Sequence, residues 1–297
     1  MKITFRQLTV FDAVARHESV SAAAQEIHLS QSAASLALQD LERTLGVSLF
    51  HRHKKRLALN ENGRRLQPQV RSVLELGREI EGGEAGPQAT GVIRVAATAT
   101  IGNYLLPPVC ERFLAANPRV QVKLNVTHEP AIIDQVENLA FDIGFIEGVS
   151  MRHTLFVEPW VQDELIVIAS RKHPAAGKTV TMKALSRERW YLQPIGATAR
   201  HFFLQPFSGL FGTDSIVFET NSIEAIKSAV AAGNGLSCLS RLAVAEDIDR
   251  GRLVQLSVRG VKLKRTFNII FRKDLYHGNI HERFLNQARS LAAVNSR

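Results

Sequence analysis

Apolar residues recur at helical spacing from the start of the chain. Phe5, Leu8, Phe11, Val14 and Ala15 share one face and predict a helix over residues 4–17. Ser19 or Ser21 can cap a second, Ala-rich helix over 20–27. Ala22, Ala23 and Ala24 are small enough for two helices to approach closely, with Ile27 and Leu29 anchoring the corner. Ser30 is the natural N-cap of a third helix over 31–45, and its buried stripe is Ala34, Leu38, Leu41 and Leu45, at spacings of 4, 3 and 4. Gly46 ends it. Short apolar runs at 47–50 and 57–59 then flank a basic stretch, as the two strands of a wing would.

After Asn60 the steps are 4, 3, 4 and 3 through Leu66, Val70, Val73, Gly77 and Ile80, a heptad-like seam on one long helix. A head already packed leaves nothing for that seam to meet, so pairing with a second copy is expected; docking on its own chain is the competing arrangement. Gly82, Gly83, Gly86 and Pro87 break the helix and supply a joint. From Gly91 the rhythm changes to strands at 93–96, 120–126 and 143–146 with helices at 105–116 and 131–139 between them. A second set starts at 165–169, with strands at 190–192, 216–218 and 236–239 and helices at 223–232 and 242–248. A strand at 267–271 and a helix at 280–293 close the chain. This βαβ order predicts parallel strands with covering helices, in two α/β lobes with a cleft between them.

The expected domains are therefore a helix-turn-helix head with its wing over 1–60, a linker helix and hinge over 61–87, and an α/β domain over 88–297. Within the last, lobe I takes about 91–162 and 267–297 and lobe II about 163–266.

Composition narrows the function. The chain has 297 residues and 45% apolar residues, enough for several compact cores. The net charge of +9 favours polyanions, and its placement matters more: Arg52, Lys54, Lys55, Arg56 and Arg64 fall within thirteen residues. With two cysteines, Cys110 and Cys238, a disulfide scaffold is excluded. No export signal and no membrane-length apolar run is visible, so a cytoplasmic protein without a membrane partner is expected.

Two helices around a tight turn can place the second in the DNA major groove. The face of the third helix away from its stripe carries Gln31, Ser32, Ser35, Leu36 and Gln39. Gln pairs bidentately with adenine, Ser bonds bases or phosphates, and Leu meets a thymine methyl. Ser30 joins this set, although capping alone accounts for it. The wing cations Arg52, Lys54, Lys55 and Arg56 would track phosphates, a salt-sensitive contact without sequence information. In open α/β sheets, ligands sit beyond the carboxyl ends of strands. Three hydroxyl-rich segments follow predicted strands here: Thr98 to Ile101 with Thr100 between them, the stretch ending at Thr198, and Thr220, Asn221 and Ser222. Together they can hold a small anion or a carboxylate; the competing reading is ordinary helix caps.

These residues resemble a known family. Phe5-Arg6-Gln7-Leu8, Ser21-Ala22-Ala23-Ala24, Leu29-Ser30-Gln31-Ser32-Ala33-Ala34-Ser35, and the run from Leu41 to Arg52 are similar to the heads of LysR-type transcriptional regulators. Phe141-Asp142-Ile143-Gly144 and Ala232-Gly233-Asn234-Gly235-Leu236 extend the likeness more loosely. The resemblance implies a winged helix-turn-helix, a dimerising linker helix and a two-lobed effector domain like the periplasmic binding proteins. It implies a homodimer or homotetramer that binds double-stranded promoter DNA and answers to a small-molecule effector. Many members carry Arg where this chain has Leu36, and Thr is frequent at Asn60. Thr98, Thr100 and Thr198 match positions where some members bind an anion or carboxylate. Glu147 stands where some relatives have a hydroxyl; a carboxylate there would repel an anion or select a ligand with a cationic or hydroxyl group.

An enzyme is disfavoured. Gly233-Asn234-Gly235 lacks the third glycine of a dinucleotide fingerprint, and neither a nucleophile elbow nor a P-loop occurs. No cofactor or metal is expected; His277 and His281, four apart, are weak evidence for zinc. A cysteine-based redox regulator on the same scaffold is the first alternative, though Cys110 and Cys238 lie in apolar segments where a thiol is ordinarily a small buried hydrophobe. A solute-binding protein without DNA function is the second, and it leaves the head unexplained.

Overall fold

The computed structural model describes residues 2–53, 56–82, 90–233 and 235–295. The head consists of α1 (Phe5–His17), α2 (Val20–Glu26), α3 (Gln31–Leu45), β1 (Phe50–His53) and β2 (Arg56–Leu59). Thr4 and Gln7 close a capping box on α1. Ser19 caps α2 and Ser30 caps α3, each side chain accepting a backbone N–H. Gly46 takes the left-handed C-cap of α3 with φ of 70°, a conformation that costs other residues. Ala34, Leu38 and Leu41 of α3 pack on Phe11, Val14 and Ala23. β1 and β2 pair antiparallel, so the wing strands are built largely from the basic ribbon rather than from the apolar run before it. Leu49 and Phe50 are the part of that run buried in the head core.

The linker helix α4 (Glu61–Gly82) corrects the expected seam. Leu66, Val70 and Leu74 pack into the core of their own head. Gly77 faces Phe5; a Cβ there would stand 2.5 Å from the ring. The apolar residues left outside are Val73 (40% exposed), Leu76 (44%) and Ile80 (82%). At 3.6 residues per turn an apolar helix surface of this width splits into two stripes, and the head takes one of them. Of the expected hinge, residues 83–87 lie outside the described residues.

In the α/β part, β3 (Gly91–Ala97), α5 (Ala99–Tyr104), α6 (Leu106–Ala116), β4 (Val120–Val126), α7 (Glu129–Glu137) and β5 (Ile143–Ile146) come first. β6 (Leu155–Ser170) follows, then β7 (Thr179–Val180), α8 (Met182–Leu185), β8 (Trp190–Leu192), α9 (Thr198–Leu204), β9 (Ile216–Glu219) and α10 (Ile223–Ala232). β10 (Ser237–Ser240), α11 (Arg241–Asp249), β11 (Leu253–Gln255), β12 (Ser257–Val258), β13 (Leu263–Arg272) and α12 (Asn279–Asn295) complete it. The main sheet has the order β10-β6-β13-β5-β3-β4, with β11 also on β6. β3 lies parallel to β4 and β5, as expected. β13 runs antiparallel to both β5 and β6, which the sequence pattern did not predict. The second set begins ten residues early, because β6 is one 16-residue strand. It leaves lobe I and enters lobe II without a break, and β13 makes the return crossing. Adjacent outward and return crossings must run in opposite directions. Lobe I packs around Ile93, Phe113, Phe145 and Phe284, and lobe II around Trp190, Phe203, Leu165 and Leu263.

Head and lobe I meet at a buried ionic hub. Arg71 of α4 donates through Nε to Asp12 Oδ1 (2.8 Å) and through Nη1 to Asp142 Oδ1 (3.2 Å). Arg16 holds the other Asp12 oxygen at 3.1 Å. Burial would raise the Asp12 carboxyl, but Arg71 and Arg16 outweigh it and hold its pKa at about 2. A cavity of about 120 Å³ lies beside this hub, lined also by Arg94, Tyr276, His277 and His281. The two imidazoles stack, centroids 4.0 Å apart, and His277 Nε2 donates to the Arg272 carbonyl. Burial, reinforced by His277, pushes the His281 pKa down from 6.5 to about 3.

A ring kept neutral by folding, yet free to protonate when unfolded, subtracts stability as pH falls below its ordinary 6.5, until the folded value near 3 is passed. Between pH 6.5 and 5 His281 is expected to cost about 2 kcal/mol, at about 1.4 kcal/mol per pH unit. Asp12 and Glu26, with ordinary values of 3.8 and 4.5, add little in that window. Melting temperatures at pH 7 and pH 5 should therefore differ less for His281→Phe than for the parent; equal differences would contradict this account.

Candidate functional site

On α3, Gln31, Ser32, Leu36 and Gln39 are exposed and Ser35 is half-buried, on the side opposite Ala34, Leu38 and Leu41. Leu36 is 57% exposed, a bare apolar surface that the head core does not use. Ser30 accepts from the Ala33 N–H at 3.2 Å and meets the Ser32 hydroxyl at 3.1 Å, so its side chain is engaged as a cap. The wing is fixed on this unit by the Leu57 N–H, which donates to the Glu18 carbonyl at 3.0 Å. Asn60 Nδ2 donates to the Ser48 carbonyl, and its Oδ1 caps α4 at the Gly63 N–H. Arg52 lies on β1 in register with Leu57, and Arg56 lies on β2 in register with His53. Lys54 and Lys55, between them, lie outside the described residues.

The second site lies where lobes I and II face each other. Thr98 stands at the N-cap of α5, yet its hydroxyl makes no cap bond there. It donates to Glu147 Oε1 at 3.1 Å instead. Glu147 Oε2 accepts from Arg265 Nη1 at 2.5 Å. Arg265 Nε donates to Asp163 Oδ2 at 2.8 Å, and Ser240 donates to the other Asp163 oxygen at 2.6 Å. The Arg265 side chain is only 2% exposed, and its Nη2 has no hydrogen-bond partner among the described residues. Burial pushes the Asp163 carboxyl up, against the pull of Arg265 and Ser240. Glu147 is thus ion-paired, though Arg265 shares its single charge with Asp163, so the repulsion of anions expected from Glu147 is weakened rather than cancelled.

Glu129, the first residue of α7, completes the cluster. Its Oε2 accepts from the N–H groups of Glu147 (3.0 Å) and Gly148 (2.9 Å) and from the Thr198 hydroxyl (3.2 Å). Asn268 of β13 holds the Gly148 carbonyl at 2.7 Å. The structure therefore brings Thr98, Glu147 and Thr198 into one network. Thr100 is buried beside them at the start of α5, while the Ile101 side chain belongs to the lobe I core and cannot face a ligand. Thr220 accepts from the Ser222 N–H, and Ser222 caps α10 at the Ala225 N–H. Among the described residues, no hydrogen bond joins Thr220 or Asn221 to the Glu147 network.

Sequence reading missed Glu129, Asp163, Ser240 and Arg265. One signal existed: Arg265 alternates in phase with Leu263 and Phe267, so a strand there turns it inward. Cys238 is buried, and burial pushes its thiol well up; Cys110 is half-buried and raised for the same reason. Neither environment favours the reactive thiolate.

A reading head joined by a long helix to a two-lobed binding domain is the architecture of a ligand-responsive DNA-binding regulator. Residues 5–64 match the bacterial regulatory helix-turn-helix proteins of the lysR family, and residues 86–293 match the LysR substrate binding domain. The chain belongs to the LysR family of DNA-binding transcriptional regulators. It is 38% identical over 286 residues to the HTH-type transcriptional regulator YeiE of Escherichia coli, described as uncharacterized, covering 96% of this chain and 97% of that one. Full-length OxyR from Pseudomonas aeruginosa shares the fold at a TM-score of 0.77 and 23% identity, covering 99% of this chain and 97% of the other. The regulatory domain of CcmR from Synechocystis PCC6803, solved in complex with 2-PG, matches at a TM-score of 0.61 and 26% identity. That match covers 68% of this chain and 98% of the other. Among the described residues, no helix is long and apolar enough to cross a membrane.

Replacing Arg265 by Gln leaves the Glu147 and Asp163 carboxylates buried without their cation. Such a loss costs about 3–5 kcal/mol. Urea unfolding should show Arg265→Gln destabilised to that extent, with Arg265→Lys recovering part of it because Lys supplies charge without the two-pronged geometry.

Proposed function

We propose that this regulator acts as a homo-oligomer that reads promoter DNA with Gln31, Ser32, Ser35, Leu36 and Gln39 in the major groove, while wing cations from residues 52–56 hold the flanking phosphates. The observation that carries this reading is the bare face of α3. Leu36 and its polar neighbours project from a helix whose other face is locked into the head core by Leu38 and Leu41. Ser30 serves by capping α3. The protein works in the cytoplasm, where its promoter lies.

The effector is a small molecule held between the lobes near Thr98, Thr100, Glu147 and Thr198. The CcmR regulatory domain, with its 2-PG, supports placing a small ligand in this kind of domain. The effector closes the cleft, shifts lobe packing between subunits and changes the spacing of the heads. It does so only to the extent that it binds one arrangement better than the other. DNA bend and footprint with and without effector test the switch; identical results at saturation would remove it.

Fluorescence anisotropy on operator DNA should find that Gln31→Ala and Leu36→Ala each lose about 1–3 kcal/mol of discrimination against the wrong base. The slope of affinity against salt should stay unchanged, because neither residue neutralises a phosphate. Unaltered selectivity in both would reject α3 as the reader.

The exposed stripe Val73, Leu76 and Ile80 is where a second copy binds. Sedimentation velocity should show Ile80→Glu shifted towards monomer, with its head still folded since Ile80 is 82% exposed in a single chain. An unchanged oligomer would move the interface elsewhere.

A further inference from the structure

Three donors converge on one oxygen of Glu129. The N–H groups of Glu147 and Gly148 come from lobe I, and the Thr198 hydroxyl comes from lobe II. Backbone amides paired with a hydroxyl are the donor set that recognises an anionic oxygen. Here they are filled by a carboxylate of the chain itself. Gly148 makes the approach possible: a Cβ at that position would lie 2.4 Å from Glu129 Oε1. The surroundings support a second anion-binding feature. Arg265 pairs with Glu147 and keeps a buried Nη2 without a partner among the described residues beside it. Thr98, which would otherwise cap α5, turns to Glu147 and holds it in place.

We propose that Glu129 is a built-in competitor, seated in the effector's anion subsite and latching the two lobes together until an incoming oxyanion or carboxylate displaces it. The effector then carries an oxygen that accepts from Glu147 N–H, Gly148 N–H and the Thr198 hydroxyl, while the Glu129 side chain swings out. Glu129 starts α7 and is only half-buried, so the displaced carboxylate reaches solvent rather than an apolar core. A tethered competitor acts at a high effective concentration and lowers the apparent affinity for anything that must replace it. The charge of the subsite is the same with Glu129 or with a monovalent ligand in place. Binding therefore exchanges one latch for another and frees α7 on one side of the cleft. This inference rests on the cleft being the effector site.

The test uses full-length protein and three probes: acetate, benzoate and sulfate, titrated by calorimetry and by thermal shift. Glu129→Ala is expected to bind at least one probe about tenfold or more tightly than the parent. Thr198→Val in that background should lose most of the gain. Preference for acetate and benzoate identifies a carboxylate effector, and preference for sulfate an inorganic oxyanion; either supports the latch. Glu129→Gln, which keeps the length but loses the charge, should gain less than Glu129→Ala and guards against a folding defect in the latter. If neither variant binds any probe more tightly than the parent, the latch is wrong. If operator binding by anisotropy is intact at the same time, the regulator reading stands without it. Failure of the parent itself to bind operator would instead sink the proposed function.

Discussion

A single buried guanidinium organises the effector domain. Arg265 lies on β13, the strand that returns from lobe II to lobe I, and it holds Glu147 with one nitrogen and Asp163 with another. Asp163 is on β6, the outgoing crossing, and Glu147 directly follows β5. Three strands that carry the two lobes are thus fixed at the floor of the cleft. A buried ion pair of this kind contributes little net stability, since desolvation offsets the attraction. It contributes geometry: the Glu147 and Gly148 amides are held where an anionic oxygen can meet them, and Thr98 is drawn away from its cap to complete the wall.

A second guanidinium does comparable work at the other end of lobe I. Arg71 on the linker helix binds Asp12 of the head and Asp142 of the effector domain at once. Asp142 also accepts from the Arg94 backbone N–H at 2.7 Å, which ties this junction to the first strand of lobe I. Head, linker helix and lobe I are thus joined by a short, charged, mostly buried path. The packing of Leu66, Val70 and Leu74 into the head joins linker helix and head in one core.

The head was almost fully legible in the sequence. Caps at Ser19 and Ser30, the stop at Gly46 and the stripe of α3 depend on neighbours within one or two turns, and local patterning specifies them. Most of the longer elements of the α/β domain were legible, but the start of β6, the short elements such as α5 and α9, and the strand directions were not. Nothing local states that β13 runs against β5 and β6. The seam on α4 was half legible: its apolar positions were visible, but which of them face the head depends on where α1 lies. In the cleft, Thr98 and Thr198 were named from their places after predicted strands and Glu147 from the resemblance, and the structure joins the three in one network; Ile101 turns into the lobe I core, because a position after a strand says nothing of its side chain's direction. Glu129 and Arg265 join residues 18 to 118 positions away, and no spacing rule reaches that far.

The sequence by itself determined the winged head, the bare face of its third helix and the two-lobed class of the remainder, because short-range periodicity and capping chemistry are written residue by residue. Only the tertiary structure decided which charges are paired, which hydroxyl caps a helix and which turns to a carboxylate, and which stripe of the linker stays bare. The physical reason is that desolvation and ion pairing depend on what surrounds a group in space, and that is set by the assembled fold rather than by chain neighbours.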